Sequence, residues 1–296
     1  GRREIYSPDK PAIVDAGKDP AWRFTYREMN ERANRYANWL REAAGVEKGN
    51  RVAILARDGV EHLDSFFACG KLGAIHTALN WRLHWREVVG LVEQTQPKVL
   101  LYSDDFIDNM RQVQAATRGT AYEVGRYLHI EGGGVEGSQP FETVLAGSSA
   151  APVTCETLDK EDTACLLFTG GTTGLPKAAM VSHRMIAWNA LNTVTHDITH
   201  GDVYLNGFPL FHIGGLFTYT SSQVIFGNTT VLTRQFDAEQ VLRLIEQEGV
   251  TVFAGVPTMY QMLTQAPNWA EADLSSLRFC TSGGAPLPVP LVEKYT

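Results

Sequence analysis

The chain has 296 residues, 44% of them hydrophobic, which is enough to bury one large core or two adjoining ones, so a globular protein is expected. A formal net charge of −7 opposes the broad attraction on which nonspecific nucleic-acid binding depends, and no apolar run approaches the roughly 18 residues of a membrane span. No apolar stretch follows the charges of Gly1-Arg2-Arg3-Glu4, and Cys69, Cys155, Cys165 and Cys280 are too scattered for a zinc site or a disulfide framework. The expectation is a cytoplasmic protein with buried thiols, no transmembrane segment, no nucleic-acid partner and no protein-built metal site.

In chain order, Thr25-Tyr26-Arg27-Glu28 reads as a capping box. Met29, Ala33, Tyr36, Ala37 and Leu40 follow on one face, so a helix starts here and stops near Gly45. Short apolar runs then alternate with helical patterns: strands at 51–56, 74–79 and 98–102, with helices through Leu63 and Phe67 and through Val88 and Val92 between them. From 131 to 152 the composition shifts to Gly, Ser, Ala and Pro, and a surface connection is expected. The alternation resumes with strands at 163–168, 203–206, 229–233, 251–254 and 277–281. Strands separated by helices of this length give an α/β fold, doubly wound, with mostly parallel sheets and helices on both faces.

Residues 83–102 and 236–255 align without a gap at an offset of 153, pairing Val88 with Val241, Leu91 with Leu244, Glu93 with Glu246, Gln94 with Gln247 and Val99 with Val252. Thr77 and Thr230, and Leu79 and Leu232, extend the match backward. The apolar pairs are those of a helix leading into a buried strand, so two similar lobes are expected. One is about 46–200 and the other about 1–45 plus 201–296, and a cleft between two such lobes is a natural place for a ligand.

The segment Leu166-Leu167-Phe168-Thr169-Gly170-Gly171-Thr172-Thr173-Gly174-Leu175-Pro176-Lys177 carries most of the chemistry. Glycines let backbone approach a ligand closely, threonine hydroxyls and backbone N–H groups donate to phosphate oxygens, and Lys177 adds a mobile positive charge. Leu175-Pro176 separates Gly174 from Lys177, so this is not the Gly-Lys-Ser/Thr loop of ordinary nucleotide hydrolases. A strand-loop-strand arrangement is expected, followed by a helix with Ser182 at its N-cap.

Residues 168–177 resemble the phosphate-binding signature of the adenylate-forming enzymes (acyl-CoA synthetases, aryl-CoA ligases, luciferases and peptide-synthetase adenylation domains), whose usual form is YTSGTTGxPKG. The chain departs from it at Gly170, where serine is usual, and at Ala178, where glycine is usual. Phe24-Thr25-Tyr26-Arg27-Glu28-Met29, Asn80-Trp81-Arg82-Leu83, Pro209-Leu210-Phe211-His212, Val256-Pro257-Thr258 and Gly283-Gly284-Ala285-Pro286-Leu287 fall in the family's order, so the resemblance covers essentially the whole chain.

The resemblance implies ATP, Mg2+ and coenzyme A as cofactors and a small-molecule carboxylic acid as substrate. It implies phosphate contacts for Thr169, Gly170, Gly171, Thr172, Thr173, Gly174 and Lys177, with Lys177, Thr172 and His212 as the catalytic set. His212 falls where the family places a side chain against the acyl group, and Gly283, Gly284, Ala285 and Pro286 resemble the turn against adenine and the acyl pocket, beside Pro257, Thr258 and Met259. Enlarging Gly284 to leucine is then expected to shift acid preference toward shorter chains. Trp81, Arg82, Trp85 and Arg86 are explained more simply by surface packing.

The leading function is ATP-dependent activation of a carboxylic acid to acyl-adenylate and its transfer to coenzyme A. The alternatives are an aryl-CoA ligase or luciferase-like adenylating enzyme, and a noncatalytic nucleotide- or acyl-binding module. The family's YGxTE segment and its small C-terminal domain cannot be mapped onto these residues, so the resemblance implies an incomplete N-terminal domain that does not by itself make acyl-CoA.

Overall fold

A computed structural model describes residues 2–169 and 176–295. Their internal contacts divide the chain into two units, residues 28–188 and residues 1–27 with 189–296. The helix Tyr26–Glu42 carries this boundary at its first turn rather than near residue 45. Its face Met29, Ala33, Tyr36, Ala37 and Leu40 is buried as its spacing predicts, and Phe141 meets Tyr36 edge-on at 4.9 Å between ring centroids. Gly45, with φ 62°, lies just past the helix end as expected of a stop residue.

The unit 28–188 holds a seven-stranded sheet in the order Gln139–Pro140, Arg126–His129, Val99–Tyr102, Arg51–Leu55, Ile75–Ala78, Thr163–Thr169, Lys177–Ser182. Neighbours pair in parallel except the last two, which form an antiparallel hairpin. Leu55, Leu79, Val88, Leu91, Leu100 and Met110 form its core with the adjoining helices.

The other unit holds a six-stranded sheet in the order Phe279–Ser282, Val252–Gly255, Val203–Asn206, Thr229–Leu232, Pro11–Asp15, Trp22–Thr25. It too is parallel except for its last pair. Val14, Leu205, Val231, Val241, Ile245 and Phe253 form its core.

The internal match extends beyond the aligned segments. Val99–Tyr102 and Val252–Gly255 stand 153 residues apart, as do Arg126–His129 and Phe279–Ser282, and the helices Trp85–Thr95 and Ala238–Gln247 begin at the same offset. Each sheet runs through four corresponding parallel strands in the same order and ends on an antiparallel hairpin. The hairpin 11–25 lacks a clear pattern of its own, because Pro11 opens its first strand and its parallel partner, Thr229–Leu232, is remote in sequence.

Residues 131–152 are not merely a surface connection. They contain the short strand Gln139–Pro140 and the helix Phe141–Gly147, whose Phe141, Val144 and Leu145 are buried. Those residues recur at helical spacing, and the surrounding Gly and Ser conceal the pattern. The thiols also differ from expectation: Cys69 and Cys165 are buried, but Cys155 is half-buried and Cys280 exposed. None of the four forms a disulfide.

Candidate functional site

In sequence, the Gly/Thr-rich segment falls between the paired strands Thr163–Thr169 and Lys177–Ser182. Thr169 and Lys177 face each other as the last pair of this ladder, and the Thr169 hydroxyl donates to the Lys177 carbonyl at 3.3 Å. Lys177 is exposed at the mouth of the hairpin. Gly170, Gly171, Thr172, Thr173 and Gly174 lie outside the described residues. Beyond the hairpin, the Ser182 hydroxyl accepts the Met185 amide at 3.3 Å and the helix His183–Asn192 begins, as the expected N-cap requires.

The second group of residues stands at the carboxyl end of the six-stranded sheet. His212 follows the strand Val203–Asn206, Pro257 to Met259 follow Val252–Gly255, and Gly283 to Pro286 follow Phe279–Ser282. These three neighbouring parallel strands therefore deliver the expected acyl and adenine residues to one end of one sheet, where α/β folds bind ligands. The Gly283 amide donates to the Gly255 carbonyl at 3.2 Å, joining two of the three turns.

Gly284 has φ +80°, a conformation that side chains disfavour, and a Cβ added there would lie 3.5 Å from Val256 Cγ1. Leucine at 284 would thus strain the backbone as well as fill space. Gly283 has open space and no positive φ, so Gly283→Leu tests the expected acyl-pocket role of this turn more cleanly.

His212 is exposed and N-caps the short helix Ile213–Phe217, its Nδ1 accepting the Gly214 amide at 3.1 Å. The loop that carries it is tight. The His212 amide donates to the Pro209 carbonyl at 3.0 Å, the Thr220 hydroxyl donates to the Gly215 carbonyl at 2.5 Å, and a Cβ on Gly215 would overlap the Pro209 carbonyl. Gly215→Ala is therefore expected to cost about 1–3 kcal/mol through overpacking against backbone. A thermal melt indistinguishable from wild type would show that the loop can relax around it.

Asn206, which the sequence patterns do not single out, is buried at the carboxyl end of its strand. It accepts from Tyr204 Oη at 3.2 Å and from the Phe208 amide at 3.1 Å, and donates to the Phe208 carbonyl at 3.1 Å. Its only sequence signal is an asparagine at a strand end before a Gly-Phe-Pro turn.

Trp81 and Trp85 pack against the core of their unit, with Arg57 and Arg82 over the Trp81 ring at 4.1 and 4.5 Å and Arg86 over Trp85 at 4.9 Å. Surface packing accounts for this cluster. A cavity of about 550 Å³ lies at the amino ends of the strands Arg51–Leu55, Val99–Tyr102 and Arg126–His129, the opposite end of that sheet from Thr169. The Arg51 and Lys98 side chains that line it are turned onto backbone carbonyls.

The sequence profile of the AMP-binding enzymes matches residues 4–296. The chain belongs to this AMP-binding enzyme family. It is 35% identical to a feruloyl-CoA synthase from Amycolatopsis sp over 99% of this chain and 55% of the relative. It is 33% identical to an indoleacetate–CoA ligase from Aromatoleum aromaticum, covering 97% of this chain and 56% of the relative. Among solved structures, the inhibitor-bound N-terminal domain of FACL13 from Mycobacterium tuberculosis superposes with a TM-score of 0.89 at 30% identity, covering 99% of this chain and 71% of that one. The chain thus spans about 55% of the length of the curated relatives it matches.

Proposed function

We propose that the protein containing this chain activates a carboxylic acid with ATP and transfers the acyl group to coenzyme A. In the first step a carboxylate oxygen attacks the α-phosphorus, the bond to the β-phosphate oxygen breaks, and pyrophosphate leaves. In the second the coenzyme A thiolate attacks the acyl carbon and AMP leaves. A carboxylate is already nucleophilic at neutral pH, so the first step needs alignment and charge neutralisation rather than a general base. Thr169, Gly170, Gly171, Thr172, Thr173, Gly174 and Lys177 supply donors and positive charge to the phosphates. Gly283, Gly284, Ala285 and Pro286 offer open backbone to adenine, and His212 borders the acyl group.

The observation that carries this reading is the end of the antiparallel ladder at Thr169 and Lys177, the residues that flank the Gly/Thr-rich segment in sequence. The names of the two relatives specify ferulate and indoleacetate, so an acid with an aromatic ring is the first to test.

Magnesium would enter on the ATP phosphates. Among the described residues no group of three His, Cys, Asp or Glu side chains is arranged to hold a metal ion, so these residues do not fit a protein-built magnesium cage.

Calorimetry with ATP is the direct test. Lys177→Ala and Thr172→Ala are each expected to weaken binding about tenfold, the worth of one charged or hydrogen-bonding contact. Unchanged affinity in both would remove the loop from the phosphate site.

A further inference from the structure

The surroundings of His212 fix not only its place but its protonation pattern. A backbone N–H can only donate, so the Gly214 amide bonded to His212 Nδ1 at 3.1 Å requires a lone pair on that nitrogen. The neutral ring then carries its proton on Nε2. No other hydrogen bond to the His212 ring is found among the described residues. What the exposed ring presents outward is thus a single donor. With Nδ1 occupied and Nε2 protonated, the neutral ring has no free lone pair with which to act as a base.

Asn206 lies behind this arrangement. Its amide ties the Phe208 N–H and carbonyl to the strand end at 3.1 Å each, and Tyr204 Oη holds the same amide oxygen at 3.2 Å. Pro209 follows at once, and its carbonyl accepts the His212 N–H at 3.0 Å. Three fixed steps therefore run from the strand Val203–Asn206 to the histidine, with the backbone closed up at Gly215 on the far side.

We propose that His212 is locked as the Nε2–H tautomer, with Asn206 as the positioning residue for its loop, so that it donates one hydrogen bond to an acceptor oxygen of the bound acyl group. The ligand part rests on the adenylating function proposed above; the tautomer rests on this loop alone. A donor of fixed polarity recognises a carbonyl or carboxylate oxygen and rejects a ligand that presents an ammonium group there.

Long-range 1H–15N spectra of the chain without ligand decide the tautomer, with His212→Asn serving to assign the signals. A pyridine-type Nδ1 and pyrrole-type Nε2 are expected; the reverse pattern, or averaging of the two, overturns the lock. Asn206→Leu, close in size but without the three hydrogen bonds, is expected to move the His212 signals toward averaging. Asn206→Asp keeps the acceptor and serves if the leucine variant does not fold, with a smaller shift in the same direction. Signals unchanged in a folded Asn206 variant would remove its positioning role.

For the ligand, 5′-O-(N-feruloylsulfamoyl)adenosine mimics an acyl-adenylate. His212→Phe keeps a ring but no donor and is expected to bind about tenfold more weakly, whereas His212→Asn, which can both cap and donate, stays within about threefold of wild type. Equal affinity in all three proteins would overturn the donor role. If wild type itself does not bind, the proposed function fails and takes the ligand contact with it, while the spectra still decide the tautomer.

Discussion

Arg32→Met is expected to lower the unfolding free energy by about 3–5 kcal/mol near neutral pH, the range for removing one partner of a buried ion pair. Arg32 donates to Asp64 from Nε at 3.0 and 3.2 Å and from Nη2 at 2.7 Å, and to Glu142 from Nη1 and Nη2 at 3.0 and 2.6 Å. Asp64 is fully buried, whereas Glu142 is 43% exposed and can turn to water, so the cost falls on Asp64. Burial pushes the Asp64 carboxyl up to about 6 against the pull of Arg32. Without the guanidinium it rises further. A carboxyl raised in the folded state is tolerated while protonated and destabilises the fold as pH rises through its folded value. The deficit of Arg32→Met should therefore shrink as the pH is lowered from 7.5 toward 5. Adding Asp64→Leu should recover much of it at pH 7.5, because an apolar replacement of the pair removes the stranded charge. Urea unfolding at the two pH values tests this, and a loss below about 1 kcal/mol with no pH dependence would show that water reaches Asp64.

This ion pair also marks where sequence reading stops. The helix Tyr26–Glu42 was legible because its apolar residues recur at helical spacing, and that face is the one buried. Nothing along the chain tells which charged residue of its other positions meets a fully buried aspartate 32 residues away. The helix-strand pairs 85–102 and 238–255 were legible as a repeat because burial of the same face imposes the same apolar positions twice. The hairpin 11–25 and the helix Phe141–Gly147 were not, since one is fixed by a remote strand and the other is short and set among glycines and serines.

The same division runs through the candidate site. The Gly/Thr-rich segment and the Pro-Leu-Phe-His segment stand out by composition, because close backbone approach and hydrogen bonding to a ligand restrict residue type. Asn206 does not, since its value lies in a turn geometry that exists only once the strand Val203–Asn206 has ended and Pro209 has redirected the chain. The residues proposed to face a ligand were thus readable from their chemistry, whereas Asn206, proposed to aim one of them, was readable only from its three hydrogen bonds.

Acidification should destabilise the unit 28–188 through a second buried pair, His62 and His76, whose ring centroids lie 6.4 Å apart. His62 Nε2 faces the Ala56 carbonyl at 3.3 Å and His76 Nδ1 faces Ser65 Oγ at 3.1 Å, but both rings are fully buried and, among the described residues, no carboxylate bonds to either. Burial lowers His62 to about 4 and His76 to about 3, with the proximity of His62 adding to the effect on His76. The unfolded chain takes up these protons near pH 6.5, and the folded protein does not. Stability from the neutral rings is therefore full above about 6.5 and falls as the pH drops toward 4, at up to about 2.7 kcal/mol per pH unit for two groups. Asp64 opposes this below about 6, because its raised carboxyl binds a proton in the folded state. Comparison with His62→Leu/His76→Leu cancels that opposing contribution, along with every other group common to both proteins. The double variant should unfold at a similar urea concentration near pH 7.5, since leucine also removes the unpartnered His62 Nδ1 and His76 Nε2, and should lose much less stability between pH 6.5 and 4.5. Parallel stability curves for the two proteins across that interval would mean that the rings are protonated in the folded state and that acid unfolding begins elsewhere.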